Sequence, residues 1–214
     1  MERETHTARL VSITPDAEKQ IVYMARVSNP SNQNNMETAP RLIKYLIKHK
    51  HWSPFEMANM CLEIHTQRDI SAQIIRHRSF SFQEFSQRYA ETEQAKIPKF
   101  RRQDSRNRQN SIDDLTDEQI DLLEELTYKH IKEGYELYQT MLEMGVAKET
   151  ARRHLPMCSP TRIYMNGTLR SWIHYIDLRT DPGTQWEHRT IANQAKIIFE
   201  QQFPIISEAL WYDT

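Results

Sequence analysis

Apolar side chains recur along this chain at two spacings, one typical of strands and one typical of helices. Apolar and polar side chains alternate over residues 60–65, which predicts a half-buried β-strand, and residues 8–14 and 161–165 are predicted as further strands. Helical spacing of three and four covers residues 40–50 and 169–179 and a longer stretch after residue 116. The mixture predicts an α+β fold, helix-rich around a small central sheet, in a single domain spanning residues 1–214.

Capping residues indicate where several helices begin. We expect capping boxes at residues 116–119 and 184–187, the second opening a helix that runs to about residue 203. Thr14 is expected to cap a helix that starts with a proline, and Asp69 a short helix through residues 70–75.

Residues 91–111 show no periodicity and form the longest candidate loop. Basic side chains outnumber acidic ones over residues 96–110, where Asp104 is the one acid. Long loops are often functional or mobile, and the alternative is a solvated, flexible excursion.

Composition excludes several classes of protein. The chain has 214 residues, 38% of them hydrophobic, a mean hydropathy of −0.76 and a net charge of −1, which does not favour a general nucleic-acid coat. It shows no apolar signal region and no run long enough to span a bilayer, so we expect a cytoplasmic protein. Cys61 and Cys158 provide no disulfide or metal framework, and no histidine spacing suggests a metal.

Glycine is scarce, with 4 residues in the chain, and no two lie close enough for a glycine-rich phosphate loop. If the protein binds nucleotides, side chains of arginine, histidine and hydroxyl residues must therefore hold the phosphates.

Residues 73–89 concentrate such side chains. Arg76, His77 and Arg78 lie where a helical pattern gives way to an extended one, and Arg88 follows. Two arginines flanking a histidine suit an anionic, aromatic ligand, because guanidinium groups fork onto planar or phosphate oxygens. The alternative is a solvated basic helix end that the helix dipole favours.

The same stretch resembles a known family. Arg76, His77 and Arg78, then seven residues, Ser86, one residue and Arg88 are similar to the RHR-x7-S-x-R signature of flavin-dependent thymidylate synthases. Residues 51–56, 151–156, 169–174 and 178–179 resemble the family's other blocks in the same order, so the resemblance covers residues from about 25 to 203.

This resemblance implies an enzyme, a methyltransferase that converts dUMP to dTMP without a cysteine nucleophile. It implies FAD as cofactor, NADPH and methylene-tetrahydrofolate as co-substrates, and a homotetramer with shared active sites that binds neither membrane nor nucleic acid. Arg179 would be catalytic, stabilising the ionised N3 of dUMP. The flavin would be contacted by His51, Ser53, Arg76, His77, Arg78, Glu84, Thr168, Leu169, Arg170 and His174. The nucleotide would be bound by Gln73, Ile74, Ile75, Arg76, Glu84, Phe85, Ser86, Gln87, Arg88, Arg152 and Arg179.

Several of these residues could instead have purely structural or surface roles. Arg170, His174 and Asp177 share about one quadrant of a helix and could form a ladder of intrahelical ion pairs. Arg152 and its neighbour Arg153 could both be surface residues. For the whole protein, the alternative is a single-stranded nucleic-acid-binding protein that uses the arginines and phenylalanines of residues 76–89 as a stacking and phosphate platform.

Overall fold

The computed structural model describes residues 2–212, and its centre is an antiparallel four-stranded sheet with the strand order β1-β2-β6-β3. Two very short strands, β4 and β5, pair separately. The strands are β1 Thr7–Ile13, β2 Asn59–Gln67, β3 Ser81–Glu84, β4 Arg102–Gln103, β5 Ser111–Ile112 and β6 Pro160–Thr168.

Helices accompany this sheet, and the predicted α+β class is confirmed. They are α1 Ala17–Ala25, α2 Ala39–Lys48, α3 Arg68–Ile74, α4 Asp117–Glu143, α5 Lys148–Ala151, α6 Leu169–Arg179, α7 Trp186–Gln202 and α8 Pro204–Ser207. Within residues 2–212, no helix combines the length and apolarity that crossing a bilayer requires.

One face of the sheet forms the hydrophobic core. Leu62 of β2 lies opposite Met165 of β6, and Ile64 lies opposite Ile163, so the alternation seen in the sequence places all four buried side chains on one face. Helices α1, α2, α6 and α7 cover that face. Each such burial stabilises the fold by about 1.5–3 kcal/mol.

Helix α6, which carries several predicted site residues, is fixed tightly to the sheet. It begins directly where β6 ends, and Thr168 caps it by accepting a hydrogen bond from the amide of Ser171 at 3.2 Å. The buried indole of Trp172 donates to the carbonyl of Met60 at 2.8 Å. The strand therefore fixes where α6 starts, and the indole fixes its rotation.

Gly167, near the end of β6, lets the chain pack closely at this junction. A Cβ at this position would lie 2.5 Å from the ring of Phe80, which is far inside van der Waals contact. Phe80 in turn packs edge-on against Trp172. Only glycine leaves room for the aromatic ring that joins the segment before β3 to α6.

The capping box at residues 116–119 is confirmed, but the expected cap at Thr14 is wrong. The structure places Asp16 at the N-cap of α1, in a left-handed conformation with φ of 48°. The hydroxyl of Thr14 instead accepts a hydrogen bond from the amide of Asn59 at 2.9 Å and ties β1 to β2.

Two further caps were wrong because neighbouring elements determine where the helices begin. Strand β2 runs into α3, so Gln67 is the N-cap and Asp69 lies inside the first turn. Helix α7 begins at Trp186, while the hydroxyl of Thr184 donates to the carbonyl of Leu178 at 3.4 Å. Glu187 is engaged in an ion pair rather than in capping.

The long loop at residues 91–111 contains more order than its sequence predicts. It includes β4 and reaches β5, which together form a two-residue antiparallel pair. Arg102 in β4 forms two hydrogen bonds with Asp114, at 2.9 and 2.6 Å, which hold this pair together.

Candidate active site

A cleft of about 480 Å³ runs along α6 and contains the predicted flavin contacts Arg170 and His174, and we call it the α6 cleft. The lining combines the indole of Trp52 and the side chain of Ile173 with charged and hydroxyl groups. The residues that line it are Trp52, Glu56, Ser79, Arg170, Ser171, Ile173, His174 and Asp177.

The alternative of an ion-pair ladder on α6 is wrong. Arg170 forms its ion pair across the cleft with Glu56, on the turn before β2, and not with a residue of its own helix. Asp177 accepts a hydrogen bond from the indole of Trp211 at 2.9 Å. His174 is exposed along the same side of α6. All three side chains therefore line the cleft, and Arg170 and Asp177 interact with groups outside the helix.

The Arg76-His77-Arg78 triplet lies in the segment that joins α3 to β3. Arg76 and Arg78 are exposed, and within residues 2–212 neither guanidinium has a hydrogen-bond or ion-pair partner. Two uncompensated cations at one helix end attract an anion. The position also satisfies the alternative of a solvated basic helix end, because both side chains reach water.

His77 is held as a neutral ring by its surroundings. The Nε of Arg179 donates a hydrogen bond to Nε2 of His77 at 2.9 Å, so this ring nitrogen is an acceptor and carries no proton. Burial, with the nearby charge of Arg179 and of His174, lowers the pKa of His77 to about 4. The hydrogen bond and the lowered pKa both indicate that His77 is uncharged at neutral pH. By accepting this hydrogen bond, the ring of His77 holds Arg179 beside the triplet.

Behind His77 lies a buried polar pair that the sequence analysis missed. Tyr175 packs edge-on to His77 with ring centroids 5.0 Å apart, and His188 of α7 lies 5.7 Å beyond Tyr175. Both rings are fully buried, and neither the hydroxyl of Tyr175 nor either nitrogen of His188 has a hydrogen-bond partner among the described residues. Burial lowers the pKa of His188 to about 3 and raises that of Tyr175.

Glu84, at the end of β3, is already surrounded by donors. It accepts hydrogen bonds from the hydroxyls of Ser71 at 2.6 Å and Thr161 at 3.0 Å and pairs with Arg68 at 2.8 Å. These contacts fix its carboxylate between α3, β3 and β6.

The predicted nucleotide contacts on α3 occupy different environments. Gln73 donates to the side chain of Gln185 at 2.6 Å, which joins α3 to the start of α7. Ile74 is fully buried in the core, and Ile75 is exposed.

The contacts predicted after β3 also differ in exposure. Phe85 is half-buried, Ser86 is exposed, and Gln87 is buried with a side-chain nitrogen that has no partner in the described chain. Arg88 is exposed and lies 3.6 Å from Glu149, a residue of α5.

Arg152 lies in the 3₁₀ turn after α5 and is half-buried, whereas Arg153 is exposed. Neighbouring positions thus point to different environments, as adjacent positions in a helical turn do.

The remaining predicted flavin contacts lie around the α6 cleft. His51 and Ser53 are exposed on the turn that contains Trp52. Thr168 and Leu169 form the start of α6, where the side chain of Leu169 is fully buried and its amide donates to the carbonyl of Ala58 at 2.9 Å.

Both cysteines are partly buried, and burial raises the pKa of each thiol. A raised pKa keeps the thiol protonated, which is the opposite of nucleophile activation. Among the described residues, no cluster of three histidine, cysteine or acidic side chains is suited to a metal.

The donor set of the α6 cleft fits a flavin nucleotide. A flavin nucleotide has a flat aromatic ring and an anionic diphosphate. The cleft provides an indole face, an apolar wall and the guanidinium of Arg170. Arg76 and Arg78, which have no ion pair within the described residues, add positive charge in the segment that leads to Ser79 at the cleft. The fold and this cleft therefore define an α+β protein that holds an anionic, aromatic ligand with side chains and without glycine loops.

Known proteins that are similar to this chain include flavin-dependent enzymes, in agreement with a protein that binds an anionic, aromatic ligand. The family model described as thymidylate synthase complementing protein matches residues 9–205. A probable flavin-dependent thymidylate synthase of Paramecium bursaria Chlorella virus 1 is 51% identical over 212 residues, covering 95% of this chain and 98% of its own. The flavin-dependent thymidylate synthase of Synechocystis is 46% identical over 190 residues, covering 89% and 87%.

A solved structure is also similar. The UMP/dUMP methylase PolB from Streptomyces cacaoi, bound with 5-Br dUMP, superimposes with a TM-score of 0.87 at 25% identity, covering 98% of this chain and 96% of its own. The chain belongs to the family of flavin-dependent thymidylate synthases. It is an enzyme of the methyltransferase class with FAD as its cofactor, and the alternative of a single-stranded nucleic-acid binder is not favoured.

Proposed function

We propose that residues 1–214 form one catalytic domain that methylates dUMP to dTMP, taking the carbon from methylene-tetrahydrofolate and using NADPH to reduce its FAD. The observation that best supports this function is the contact between Arg179 and His77, which joins the end of α6 to the triplet after α3. It places a permanent cation beside a neutral ring, next to two arginines that have no ion pair within the described residues.

Arg179 stabilises negative charge on the substrate. A guanidinium does not give up its proton, so it cannot be a general base, but it can stabilise the ionised N3 of a pyrimidine electrostatically. His77 accepts a hydrogen bond from Arg179 and thereby orients the guanidinium. FAD, when reduced, supplies the hydride that completes the new methyl group.

FAD would be held around the α6 cleft by Arg170 and His174, by the turn at His51 and Ser53, and by the triplet. The ion pair between Arg170 and Glu56 keeps the guanidinium extended across the cleft before the cofactor binds. Thr168 and Leu169 would contribute through their backbone at the first turn of α6.

The phosphate of dUMP would be held by Ser86, Arg88 and Arg152. Among the described residues, Arg88 pairs with Glu149 alone, at 3.6 Å between exposed groups. Such a pair is worth little in water and is readily exchanged for a phosphate. Arg152 has no hydrogen-bond or ion-pair partner within the described residues.

We further propose that the sites are shared between chains of a homo-oligomer, a homotetramer. No contact among the described residues joins Arg88 to Arg179, although both are proposed dUMP contacts. Helix α4, in addition, buries only Ile131 and Tyr138 and leaves apolar side chains exposed, among them Leu122, Leu126 and Leu137. An apolar helix face of this kind suits contact with another chain.

Flavin content and dTMP formation test this function. Purified protein should be yellow with bound flavin and should form dTMP from dUMP only when both methylene-tetrahydrofolate and NADPH are present. A colourless protein that binds single-stranded nucleic acid and forms no dTMP would contradict the proposal.

Co-expression of two inactive variants tests the shared site. If Arg88→Ala and Arg179→Ala chains mix at random, roughly a quarter of sites should contain both intact regions and form dTMP. Two different tags confirm that mixed oligomers are present. Activity that stays at the background of the single variants refutes sharing of the site.

A further inference from the structure

A second cavity, outside the α6 cleft, lies between the loop around β4 and β5 and the start of α7. Its volume is about 380 Å³, and we call it the basic pocket. Its lining includes Lys99, Arg101, Arg108, Gln185, Trp186 and Arg189. Lys99, Arg101, Arg108 and Arg189 are not among the proposed flavin or dUMP contacts.

Two of its cations are neutralised by carboxylates. Lys99 pairs with Asp113, which also lines the pocket, and Arg101 pairs with Glu187 at 2.6 Å. Arg101 is nearly buried, yet its Nη1 has no hydrogen-bond partner in the described chain. A buried, unsatisfied donor at the pocket wall favours an acceptor from outside the protein.

Among residues 2–212, no carboxylate pairs with the other two cations, Arg108 and Arg189. Arg189 donates to the carbonyl of Pro182 at 2.7 Å, and within residues 2–212 the guanidinium of Arg108 has neither a hydrogen bond nor an ion pair. Two positive charges in the pocket are therefore uncompensated within the part of the chain that the structure describes. A phosphate monoester carries about two negative charges at neutral pH and accepts several hydrogen bonds, so it matches this pair.

The rest of the lining suits the nucleotide that would carry such a phosphate. Trp186 contributes an indole beneath Lys99 and Arg101, whose charged groups lie 5.1 and 5.4 Å from its ring. Side-chain amides of Gln109 and Asn110 add hydrogen-bonding groups.

The pocket also adjoins the proposed active site. Gln185 at its edge accepts the hydrogen bond from Gln73 at 2.6 Å, on the helix that leads to the triplet. Pro182, which Arg189 holds, lies in the turn that follows Arg179. A ligand anchored here by a phosphate lies close to the residues around His77.

We propose that the basic pocket binds the phosphate monoester of a nucleotide other than dUMP, and that in the proposed reaction this group is the 2′-phosphate of NADPH. The identification of NADPH rests on the proposed function, whereas the affinity for the phosphate does not. Arg108 and Arg189 bind the phosphate, and the pocket discriminates NADPH from NADH.

The first experiment measures the rate at which NADPH and NADH reduce the bound flavin without oxygen. The signal is the loss of flavin absorbance. In Arg108→Gln and in Arg108→Gln/Arg189→Gln, the NADPH concentration for half-maximal rate should rise about tenfold or more, because a charge-assisted hydrogen bond is lost. The value for NADH should not change. Arg106→Gln is the matched control, since Arg106 is exposed on the same loop but does not line the pocket.

The second experiment measures binding without turnover. Calorimetric titration of the flavin-loaded protein should show that adenosine 2′,5′-bisphosphate binds more tightly than adenosine 5′-monophosphate. In Arg108→Gln this preference should be lost, while the affinity for the monophosphate should not change. Arg189→Gln could disturb the turn at Pro182, so the single Arg108 variant decides the outcome if the double variant does not fold.

Several results would overturn the inference. They are an unchanged NADPH response in Arg108→Gln, an equal loss for NADPH and NADH, or a wild-type protein that does not distinguish the two. Dithionite-reduced protein separates this inference from the proposed function. If it makes no dTMP from dUMP and methylene-tetrahydrofolate, the proposed function fails, and the bisphosphate titration alone decides on the pocket.

Discussion

The fully buried His188 should make the protein lose stability in mild acid, and replacing it with leucine should remove the part of the loss that this ring causes. Burial, with smaller effects from Arg179 and His77, lowers the pKa of His188 from its ordinary value of 6.5 to about 3 in the folded protein. Neither ring nitrogen has a hydrogen-bond partner among the described residues. The folded state therefore resists protonation of this ring, while the unfolded chain does not.

The sign of the effect follows from proton linkage. With a folded pKa below the unfolded one, the stability contribution is full above pH 6.5 and is lost as the pH falls from 6.5 towards 3. Each pH unit in this window costs about 1.4 kcal/mol, so the fall from 6.5 to pH 5 removes about 2 kcal/mol. This is a large share of the roughly 5–15 kcal/mol that typical domains have.

Urea unfolding of wild type and His188→Leu, at pH 7 and pH 5 and at one protein concentration, measures the difference. At pH 7 the variant should be close to wild type, because replacing an unpaired buried polar group with an apolar one of similar size is nearly neutral or stabilising. At pH 5 it should exceed wild type by about 2 kcal/mol. His130→Leu, an exposed position on α4, is the control. An equal loss of stability in wild type and His188→Leu between the two pH values would refute the reasoning.

Three further predictions follow from the site and its packing. Replacing both Cys61 and Cys158 with serine should leave dTMP formation largely intact, because burial keeps both thiols protonated, and a folded, flavin-bound but inactive variant contradicts this. Arg78→Lys should weaken flavin and dUMP binding about ten- to a hundredfold in a titration, since the fork geometry is lost. Gly167→Ala should destabilise the fold by about 1–3 kcal/mol in urea unfolding, because the added Cβ meets the ring of Phe80, and an unchanged midpoint counts against the clash.

Short-range patterns predicted much of the architecture. Alternation over residues 60–65 found β2, helical spacing found α2, α4 and α6, and the capping box at 116–119 was confirmed. These signals lie within a few residues of one another, so the sequence displays them directly. The predicted cap at Thr14 is wrong because the structure uses this side chain to join two strands, and the predicted cap at Asp69 is wrong because α3 already begins at Arg68, so Asp69 lies inside its first turn.

The sequence indicated Arg170, His174 and the Arg76-His77-Arg78 triplet as site residues, which stays a prediction, but it did not indicate the electrostatics of the site. Arg179 and His77 are 102 residues apart, and their hydrogen bond depends on how α6 packs against the end of α3. His188 lies further still along the chain, on α7, and becomes part of the site only because α7 packs behind α6.

These two histidines show why residue type alone could not assign charge. In water both rings would titrate near neutral pH, and a sequence with a histidine between two arginines suggests three cations. In the fold, burial lowers the pKa of His77 to about 4 and that of His188 to about 3. The segment after α3 therefore has one cation on each side of a neutral hydrogen-bond acceptor, the ring of His77. Arg179 donates to that ring because the ring carries no charge. A protonated His77 would repel Arg179, so the position of the proposed catalytic guanidinium depends on the packing that keeps the histidine neutral.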